Sequence, residues 1–388
     1  METLDHHQSQ SRSLPFTKMH GLGNDFVMVN EVDLGNALCP AQGQADNFDF
    51  AAALSQLARL VCDRHFGIGA DGLIVAVRPS RVSEFLGEKL VAAYPSYDKC
   101  QLAWIYINSD GSSSDMCGNG LRCLAYFARN NDIVQPNSGW PQTNNFIIGT
   151  NAYPVAVSLC DTASTVKGPS RKGSAGGGAK IAAIPVGLQT VRTQLAAPEI
   201  KFVAEDLQIG DITLSATSVD MGNPHCVIFD CAELELSQYQ DCMHGISSGA
   251  SATFVEKFPG RLLNLAHQIQ SLSVFPQGVN VEFVRPLTRD RAVVYVIERG
   301  CGPTLACASG AAAVVAAGVT EARLNRQCCV ILPGGELEVT WSSLDNLIEL
   351  NGPAQIAFFG EFKIDDSFYS SDFQLNHSAC DSREELPA

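Results

Sequence analysis

Two cysteines stand in similar local surroundings that could support acid and base chemistry. Cys117 opens the segment CGNG and Cys307 opens CASG, and each segment leads into an apolar run with helical spacing. The sequence therefore predicts that each thiol lies where a loop meets the start of a helix. Because unpaired N–H groups and the helix dipole favour a thiolate there, we expect both thiols to have a lowered pKa.

The N–H groups at such helix starts can also bind a carboxylate. If the two starts face one cleft, they hold the α-carboxylate of an amino acid between them, with one sulfur on each face of Cα. One thiolate then removes the α-proton and the opposite thiol returns a proton from the other side. The donors on the carboxylate stabilise the negative charge that develops, so the pattern favours inversion at an amino-acid α-carbon.

A structural interpretation of these thiols is the alternative, because a free cysteine is usually a small buried hydrophobe. We expect that role for the remaining cysteines, among them Cys62, Cys123, Cys226, Cys301 and the Cys328–Cys329 pair. A zinc site is not expected, since the sequence has no Cys-x-x-Cys and no pair of His at ligand spacing.

The elements that must position the two cysteines occur twice along the chain. INSDGSSSDMCGNG at 107–120 and IERGCGPTLACASG at 297–310 share Ile, Cys and Gly at matching positions, and each joins a predicted strand to a predicted helix. This repeated pattern indicates two related domains that face each other. The patterns predict two strands around a Gly-rich turn at 16–30, further strands at 73–77, 102–107, 221–229, 279–284 and 292–297, and helices at 50–62, 117–129 and 307–318.

Composition limits the classes of partner. The chain has 388 residues, 46% hydrophobic and 17% charged, with a formal net charge of −15. Such an acidic chain is a poor match for nucleic acid or an anionic membrane, so we expect a small-molecule substrate. Its 14 cysteines are scattered through a chain long enough for a large core, which favours reduced thiols. With no secretory signal at the start, the cytoplasm is the expected location and a plastid is the alternative.

Several blocks of the sequence resemble the diaminopimelate epimerase family. They are FTKMHGLGNDFV, GIGADGL, NSDGSSSDMCGNGLRC, MGNPHC, GVNVEFV, ERGCGPTLACASGA and LPGGELEV, and they run from residue 16 to about 340, with GPAQIAFFGEF as a last strand. The resemblance implies an α/β (α+β) fold of two homologous, pseudo-symmetric domains, each a curved mixed sheet or barrel around a central helix. It also implies interconversion of LL-2,6-diaminopimelate and the meso form on the way to lysine, without pyridoxal phosphate, another cofactor or a metal.

The resemblance also implies roles for individual residues. Cys117 and Cys307 would be the two opposed bases, and His225 would support them near the thiols. The substrate-binding residues would comprise four asparagines, an acid and a guanidinium, and four residues at the helix starts: Asn24, Asn108, Asn223, Asn280, Glu298, Arg299, Gly118, Asn119, Ala308 and Ser309. Amides, one acid and one guanidinium suit a substrate with two ammonium and two carboxylate groups. The structural alternative for Asn24 and Asn223 is a turn, where Asn is common.

The same resemblance suggests the domain limits. The first domain would span 14–197, with insertions near 81–100, 132–145 and 160–183, and the last strand at 353–365 would join it. The second would span 198–352, and 1–13 and 366–388 would be tails. The Gly- and Ser-rich stretch 167–180 is expected to be a mobile surface loop. The oligomeric state is left open, with a homodimer as one option.

Two positions depart from the family pattern. Ala308 and Ser309 stand where many members have Gly and Thr, which adds a methyl group where the backbone approaches closely. Gly72 stands where some relatives carry a Gln that touches the substrate, so that contact is expected to be missing or replaced.

Two other functional hypotheses remain. One is another isomerase of the same fold, such as a proline or hydroxyproline racemase, although those relatives have His where this chain has Asn119. The other is a ligand-binding relative without turnover, which only the Ala308 change supports.

Overall fold

The computed structural model describes residues 12–38, 49–86, 99–131, 133, 144–160, 188–231, 258–365 and 368. Five predicted segments lie wholly or almost wholly outside these ranges: the insertions at 132–145 and 160–183, the 167–180 loop, and the tails at 1–13 and 366–388. Most of the insertion at 81–100 also lies outside them.

Strands dominate the described part of the chain. They are β1 (Arg12–Gly21), β2 (Asn24–Asn30), β3 (Gly72–Val77), β4 (Leu102–Asn108), β5 (Asn145–Gly149), β6 (Val155–Leu159), β7 (Leu188–Leu195), β8 (Glu199–Ile209), β9 (Ile212–Asp220), β10 (Pro224–Phe229), β11 (Asn280–Thr288), β12 (Arg291–Glu298), β13 (Gly302–Thr304), β14 (Gln327–Leu332), β15 (Gly335–Trp341) and β16 (Ile348–Ile364). The helices are α1 (Glu31–Leu38), α2 (Phe50–Cys62), α3 (Val82–Leu86), α4 (Gly118–Asn130), α5 (Gly260–Gln270) and α6 (Ala308–Thr320), with a short 3₁₀ turn at Pro79–Arg81.

The first half of the fold is a closed barrel around one helix. Its strands follow the order β1-β2-β3-β4-β5-β6-β7-β16, and β16 returns to pair with β1. Helix α4 lies inside, with every residue from Gly118 to Ala128 buried. Helix α2 packs on the outside against β3 and β4, through its apolar face. An enclosed helix is expected to be apolar nearly all round, and α4 departs from that pattern at the buried Asn119 and Arg122.

The second half repeats this arrangement. The order β9-β10-β11-β12-β14-β15 has the same alternation of antiparallel and parallel pairs as β1-β2-β3-β4-β5-β6, and the helix after the fourth strand is again central. That helix is α6, with Ala308 and all residues from Gly310 to Gly318 buried. The fold is therefore mixed α/β with two similar sheets around two central helices, as expected from the sequence.

Strand β16 connects the two halves. Its first residues pair with β15 and β7, and its residues from Gln355 onwards pair with β1. One long strand thus belongs to both sheets and fixes how the two central helices face each other. Among the described helices, none has the length and apolarity needed to cross a membrane.

Candidate active site

Both candidate cysteines cap the central helices in the same way. Cys117 is the N-cap of α4 with extended backbone angles (φ −150°, ψ 110°), and its sulfur accepts a hydrogen bond from the N–H of Gly120 at 3.4 Å. Cys307 is the N-cap of α6 (φ −122°, ψ 115°), and its sulfur accepts from the N–H of Gly310, also at 3.4 Å. The expectation that each thiol lies at the start of a helix is confirmed.

The two helix starts lie directly against each other. A Cβ atom placed on Gly118 would lie 2.5 Å from the Cβ of Ala308. Nearby, the Nδ2 of Asn119 donates a hydrogen bond at 3.0 Å to the carbonyl oxygen of Ala306, the residue before Cys307. The structure thus brings the two thiols to one junction between the halves, where the methyl group of Ala308 occupies the space that Gly118 leaves open.

The predicted lowering of both thiol pKa values is wrong. Burial raises the pKa of Cys117 to about 11, and the N–H of Gly120 offsets only part of that rise. Burial, followed by the carboxylates of Glu298 and Glu282, raises the pKa of Cys307 well above its ordinary value. Sequence reasoning counted the helix dipole but not desolvation, which disfavours the charged form of a buried group and here is the larger effect.

Asn24 is the first residue of β2 and lies beside Cys117. Its Oδ1 lies 3.6 Å from the sulfur of Cys117, which donates to it, and 3.3 Å from the Nδ2 of Asn119. Its Nδ2 donates to the carboxylate of Asp71 at 2.5 Å. Asp71 also accepts from the guanidinium of Arg64 at 2.8 Å. The orientation of Asn24 is therefore set by its neighbours, and its oxygen faces the thiol.

His225 belongs to a buried chain of side chains in the second half. Its Nδ1 lies 2.6 Å from Oε1 of Glu282 and its Nε2 lies 3.1 Å from Oδ1 of Asn223. His225 and Glu282 both have no exposed surface, and Oε2 of Glu282 has no hydrogen-bond partner among the residues that the structure describes. Oε1 of Glu282 also lies 2.7 Å from the position of a Cβ on Gly310, so this carboxylate sits against the first turn of α6.

Glu298 ends β12 close to Cys307. Its Oε1 accepts a hydrogen bond from the hydroxyl of Thr304 at 2.6 Å. The Cys307 thiol also donates a hydrogen bond to the Glu298 carboxylate. Burial raises the pKa of Glu298, and these two hydrogen bonds oppose the rise. This carboxylate also lies within electrostatic reach of Cys117, so it faces both thiols.

The other predicted residues lie around the same junction or at its edge. Oδ1 of the buried Asn280 accepts from the backbone N–H of Arg299 at 2.8 Å, while the exposed guanidinium of Arg299 donates to the carbonyl oxygen of Gln277 at 2.6 Å. Asn108 ends β4 and donates to the hydroxyl of Ser112 at 2.9 Å. The hydroxyl of Ser309 lies 3.5 Å from the sulfur of Cys307. Arg299 and Asn108 thus make contacts outside the thiol junction.

Arg122 is a site residue that the sequence reasoning missed. It is fully buried in α4, donates to Asn119 Oδ1 and, at 3.3 Å, to the carbonyl oxygen of Gly118, and makes no ion pair with any described carboxylate. Burial lowers its pKa to about 10, which still leaves it cationic near neutral pH. The sequence feature that could have identified Arg122 is its position as a charged residue among the apolar residues that follow Cys117.

Glu282 was missed for a similar reason. It is an acid within the apolar strand VNVEFV, and its full burial against His225 could be inferred only from the packing. In the part of the chain that the structure describes, no cluster of three or more His, Cys, Asp or Glu side chains is arranged to hold a metal ion.

The overall fold is shared with proteins of known structure. A hydroxyproline epimerase from Agrobacterium vitis has the same overall fold, with a TM-score of 0.54 over 92% of this chain and 95% of that chain, at 12% sequence identity. At that identity the likeness shows the fold alone.

Sequence comparison is more specific. Residues 16–173 and 242–357 match the family model for diaminopimelate epimerase. A diaminopimelate epimerase from Synechocystis is 34% identical over 355 residues, covering 91% of this chain and 100% of that protein. A chloroplastic diaminopimelate epimerase from Oryza sativa subsp. japonica is 32% identical over 367 residues, covering 92% of this chain and 82% of that protein. The chain belongs to the diaminopimelate epimerase family, and it is an isomerase.

Proposed function

We propose that this protein converts LL-2,6-diaminopimelate to meso-diaminopimelate in lysine biosynthesis, using Cys117 and Cys307 as its two bases and no cofactor. One observation carries the proposal: two helices, each capped by a cysteine sulfur, meet start to start. This arrangement supports the proposal, because a substrate held by the N–H groups of both helix starts would have a thiol on either side.

The backbone of the helix starts anchors the reacting end of the substrate. N–H groups of Gly118, Asn119, Ala308 and Ser309 belong to the first turns of α4 and α6, where helices bind anions. The α-carboxylate lies between the two starts, so Cα lies between the sulfurs. These donors bind more strongly as charge moves into the carboxylate, and that difference lowers the barrier.

Proton transfer follows from the unequal surroundings of the thiols. Burial is the largest influence on both thiols and raises both pKa values, and the carboxylate of Glu298 adds to the rise at each. The cation of Arg122 opposes the rise at Cys117, whereas the carboxylate of Glu282 adds to it at Cys307. This difference favours Cys117 as the base, with Cys307 keeping its proton. The Cys117 thiolate takes the hydrogen from Cα, the bonding electrons move towards the carboxylate, and the Cys307 thiol delivers its proton to the opposite face. The products are the inverted substrate, a Cys117 thiol and a Cys307 thiolate.

The far end of the substrate requires groups that bind a second ammonium and a second carboxylate. The amides of Asn24, Asn108, Asn223 and Asn280 can donate and accept, and the exposed guanidinium of Arg299 can hold a carboxylate by two parallel hydrogen bonds. Glu298 is the acid for the ammonium beside the thiols. His225, held by Glu282, is a supporting residue for Cys307.

The test is proton exchange in heavy water with purified, reduced protein. We expect LL-diaminopimelate to give the meso form with one deuterium at the inverted carbon, because the returning proton comes from a thiol that has exchanged with solvent. L-Proline and 4-hydroxyproline, assayed in parallel, should take up none. Exchange on proline alone would favour the racemase alternative, and exchange on neither would favour a binding protein without turnover.

The cellular location and the assembly remain proposals. We propose the cytoplasm, with a plastid as the alternative because the rice relative is named chloroplastic. The partner is the small-molecule substrate, with no role for nucleic acid, and a homodimer is the assembly to test by light scattering.

A further inference from the structure

Gly72 leaves a gap in the barrel wall that a neighbouring aromatic ring fills. It begins β3, between Phe26 on β2 and Asn108 on β4. A Cβ atom on Gly72 would lie 2.3 Å from Cε2 of Tyr106 and 2.8 Å from the carbonyl oxygen of Ile107. The ring of Tyr106 therefore occupies the space into which any side chain at residue 72 would project.

Aromatic neighbours fix the position of this ring. Tyr106 packs edge to face on Phe26, with ring centroids 5.8 Å apart, and lies tilted against Trp104 at 5.4 Å. All three side chains are buried in the cluster that lines the barrel around α4, and Cys117 packs against the same cluster. An aromatic residue that covers a glycine on the next strand is a recurrent way to stabilise such a site.

Tyr106 lies close to the first half of the thiol junction, because Cys117 packs against the cluster to which Tyr106 belongs. After burial, the groups that raise its pKa are Cys117, Asp71, Glu298 and Cys301, which belong to both halves of the molecule. The phenol therefore stays protonated near neutral pH. It makes no hydrogen bond to any residue in the described ranges, although a buried phenol usually has a partner.

The charges around the phenol identify the group it would meet. Asp71 and Glu298 are acidic, so this side of the junction repels a carboxylate and attracts a cation. Of the groups on an amino acid whose Cα lies beside Cys117, only the ammonium is cationic. That ammonium lies on the carbon being inverted, within the same space as Glu298.

We propose that Tyr106 is a substrate-binding residue whose phenol oxygen accepts a hydrogen bond from the ammonium on the reacting carbon, at the place left by the missing side chain of residue 72. This inference rests on the proposed function. It explains how the chain can tolerate glycine where some relatives carry a substrate-contacting glutamine, because the contact comes from the next strand.

Tyr106→Phe tests the proposal, since it removes only the hydroxyl and keeps the ring that fills the gap. We expect KM for LL-diaminopimelate to rise about 10- to 100-fold, the usual effect of losing a hydrogen bond to a charged group. The rate constant kcat should change less than about threefold. The ammonium keeps its charge through the reaction, so the hydrogen bond stabilises the bound substrate and the transition state equally.

Tyr126→Phe is the matched control. Tyr126 is also a buried phenol of the same cluster with an unpartnered hydroxyl, but it lies near the other end of α4. It should leave KM unchanged, and both variants should show the circular dichroism spectrum and melting temperature of the parent within a few degrees.

The outcomes separate this inference from the proposed function. If the parent protein epimerises diaminopimelate and Tyr106→Phe has an unchanged KM, the role of Tyr106 is refuted while the function stands. Equal losses of kcat in both variants would show a purely structural role and would also refute it. If the parent protein does not act on diaminopimelate, the proposed function itself has failed.

Discussion

The starts of α4 and α6 are alike in backbone and differ in electrostatic surroundings. Both are capped by a cysteine whose sulfur accepts from the third N–H of its helix at 3.4 Å. The carboxylate of Glu298 raises the pKa of both thiols, but the α4 start also has the buried cation of Arg122, whereas the α6 start also has the carboxylate of Glu282. A repeated fold can thus supply two equivalent positions for an acid and a base. The side chains around those positions then decide which thiol holds its proton.

Removing either sulfur should have the largest effect on activity. Cys117→Ser and Cys307→Ser should each lower kcat for epimerisation by about 10²- to 10⁴-fold, the contribution typical of a positioned acid or base, because a hydroxyl is far less acidic than a thiol. Steady-state rates in both reaction directions measure this. Cys301→Ser, at an exposed cysteine of the loop before α6, is the control and should retain parental rates. Activity near the parental level in either capping variant would refute the assignment.

Removing the cation beneath α4 should have the next largest effect. Arg122→Met leaves Oδ1 of Asn119 buried without its donor and takes away the charge that lowers the pKa of Cys117. We expect kcat/KM to fall about 10- to 100-fold. The pKa of Cys117 should rise, so the limb of the pH profile that requires the thiolate should move to higher pH.

Arg122→Lys separates charge from geometry. It keeps the cation but not the forked hydrogen bonds, so its pH limb should stay near that of the parent even if kcat/KM falls. A limb that moves equally in the Met and Lys variants would contradict the electrostatic explanation.

Removing a carboxylate beside α6 should shift the pH profile the other way. In Glu282→Gln one negative charge near Cys307 is lost, so the pKa of that thiol should fall and its limb should move to lower pH. We expect kcat/KM at the optimum to fall less than about tenfold, because Gln still offers an oxygen to His225. Glu336→Gln, at an exposed carboxylate paired with Arg291, is the control. A shift of the same sign as that of Arg122→Met would overturn the comparison.

The smallest effects are expected from substitutions at the contact between the start of α4 and the start of α6. Gly118→Ala would place its Cβ 2.5 Å from that of Ala308 and should cost about 1–3 kcal/mol of unfolding free energy through overpacking. Ala308→Gly should lower the free energy of unfolding by only about 1 kcal/mol, because glycine increases the conformational entropy of the unfolded chain. It should change kcat/KM less than about threefold. Chemical denaturation measures both free energies.

The double variant tests whether the two residues share one space. Gly118→Ala combined with Ala308→Gly should be more stable than Gly118→Ala alone, since the methyl group has only changed sides. Purely additive losses would show that the helix starts do not constrain each other.

Much of the local structure could be predicted from the sequence. The helix expected at 50–62 is α2 with the same bounds, and the helices expected from Cys117 and Cys307 begin one residue later, with the cysteines as caps. The strands β5 to β9 and β13 to β15 were not predicted. In β8 the reason is visible, because burial is irregular along its length and gives no regular apolar alternation.

The sequence motifs proposed the members of the candidate site, whereas the contacts among those residues come only from the structure. Family motifs indicated Asn24, Asn223, Asn280 and Glu298, all of which have contacts at or near the junction. Motifs could not reveal Arg122 or Glu282, because a charged residue within an apolar run has no functional meaning until its burial and partners are known.

By itself the sequence determined where α2, α4 and α6 lie, to within a residue at their starts, and that two similar halves each carry a cysteine at a helix start. Those features depend on neighbours along the chain, so local periodicity and turn residues suffice. Only the tertiary structure decided that burial outweighs the helix dipole at both thiols, that Arg122 and Glu282 give them different surroundings, and that Tyr106 fills the gap at Gly72. Desolvation and close packing depend on residues far apart in the chain, and those come together only when both halves have folded.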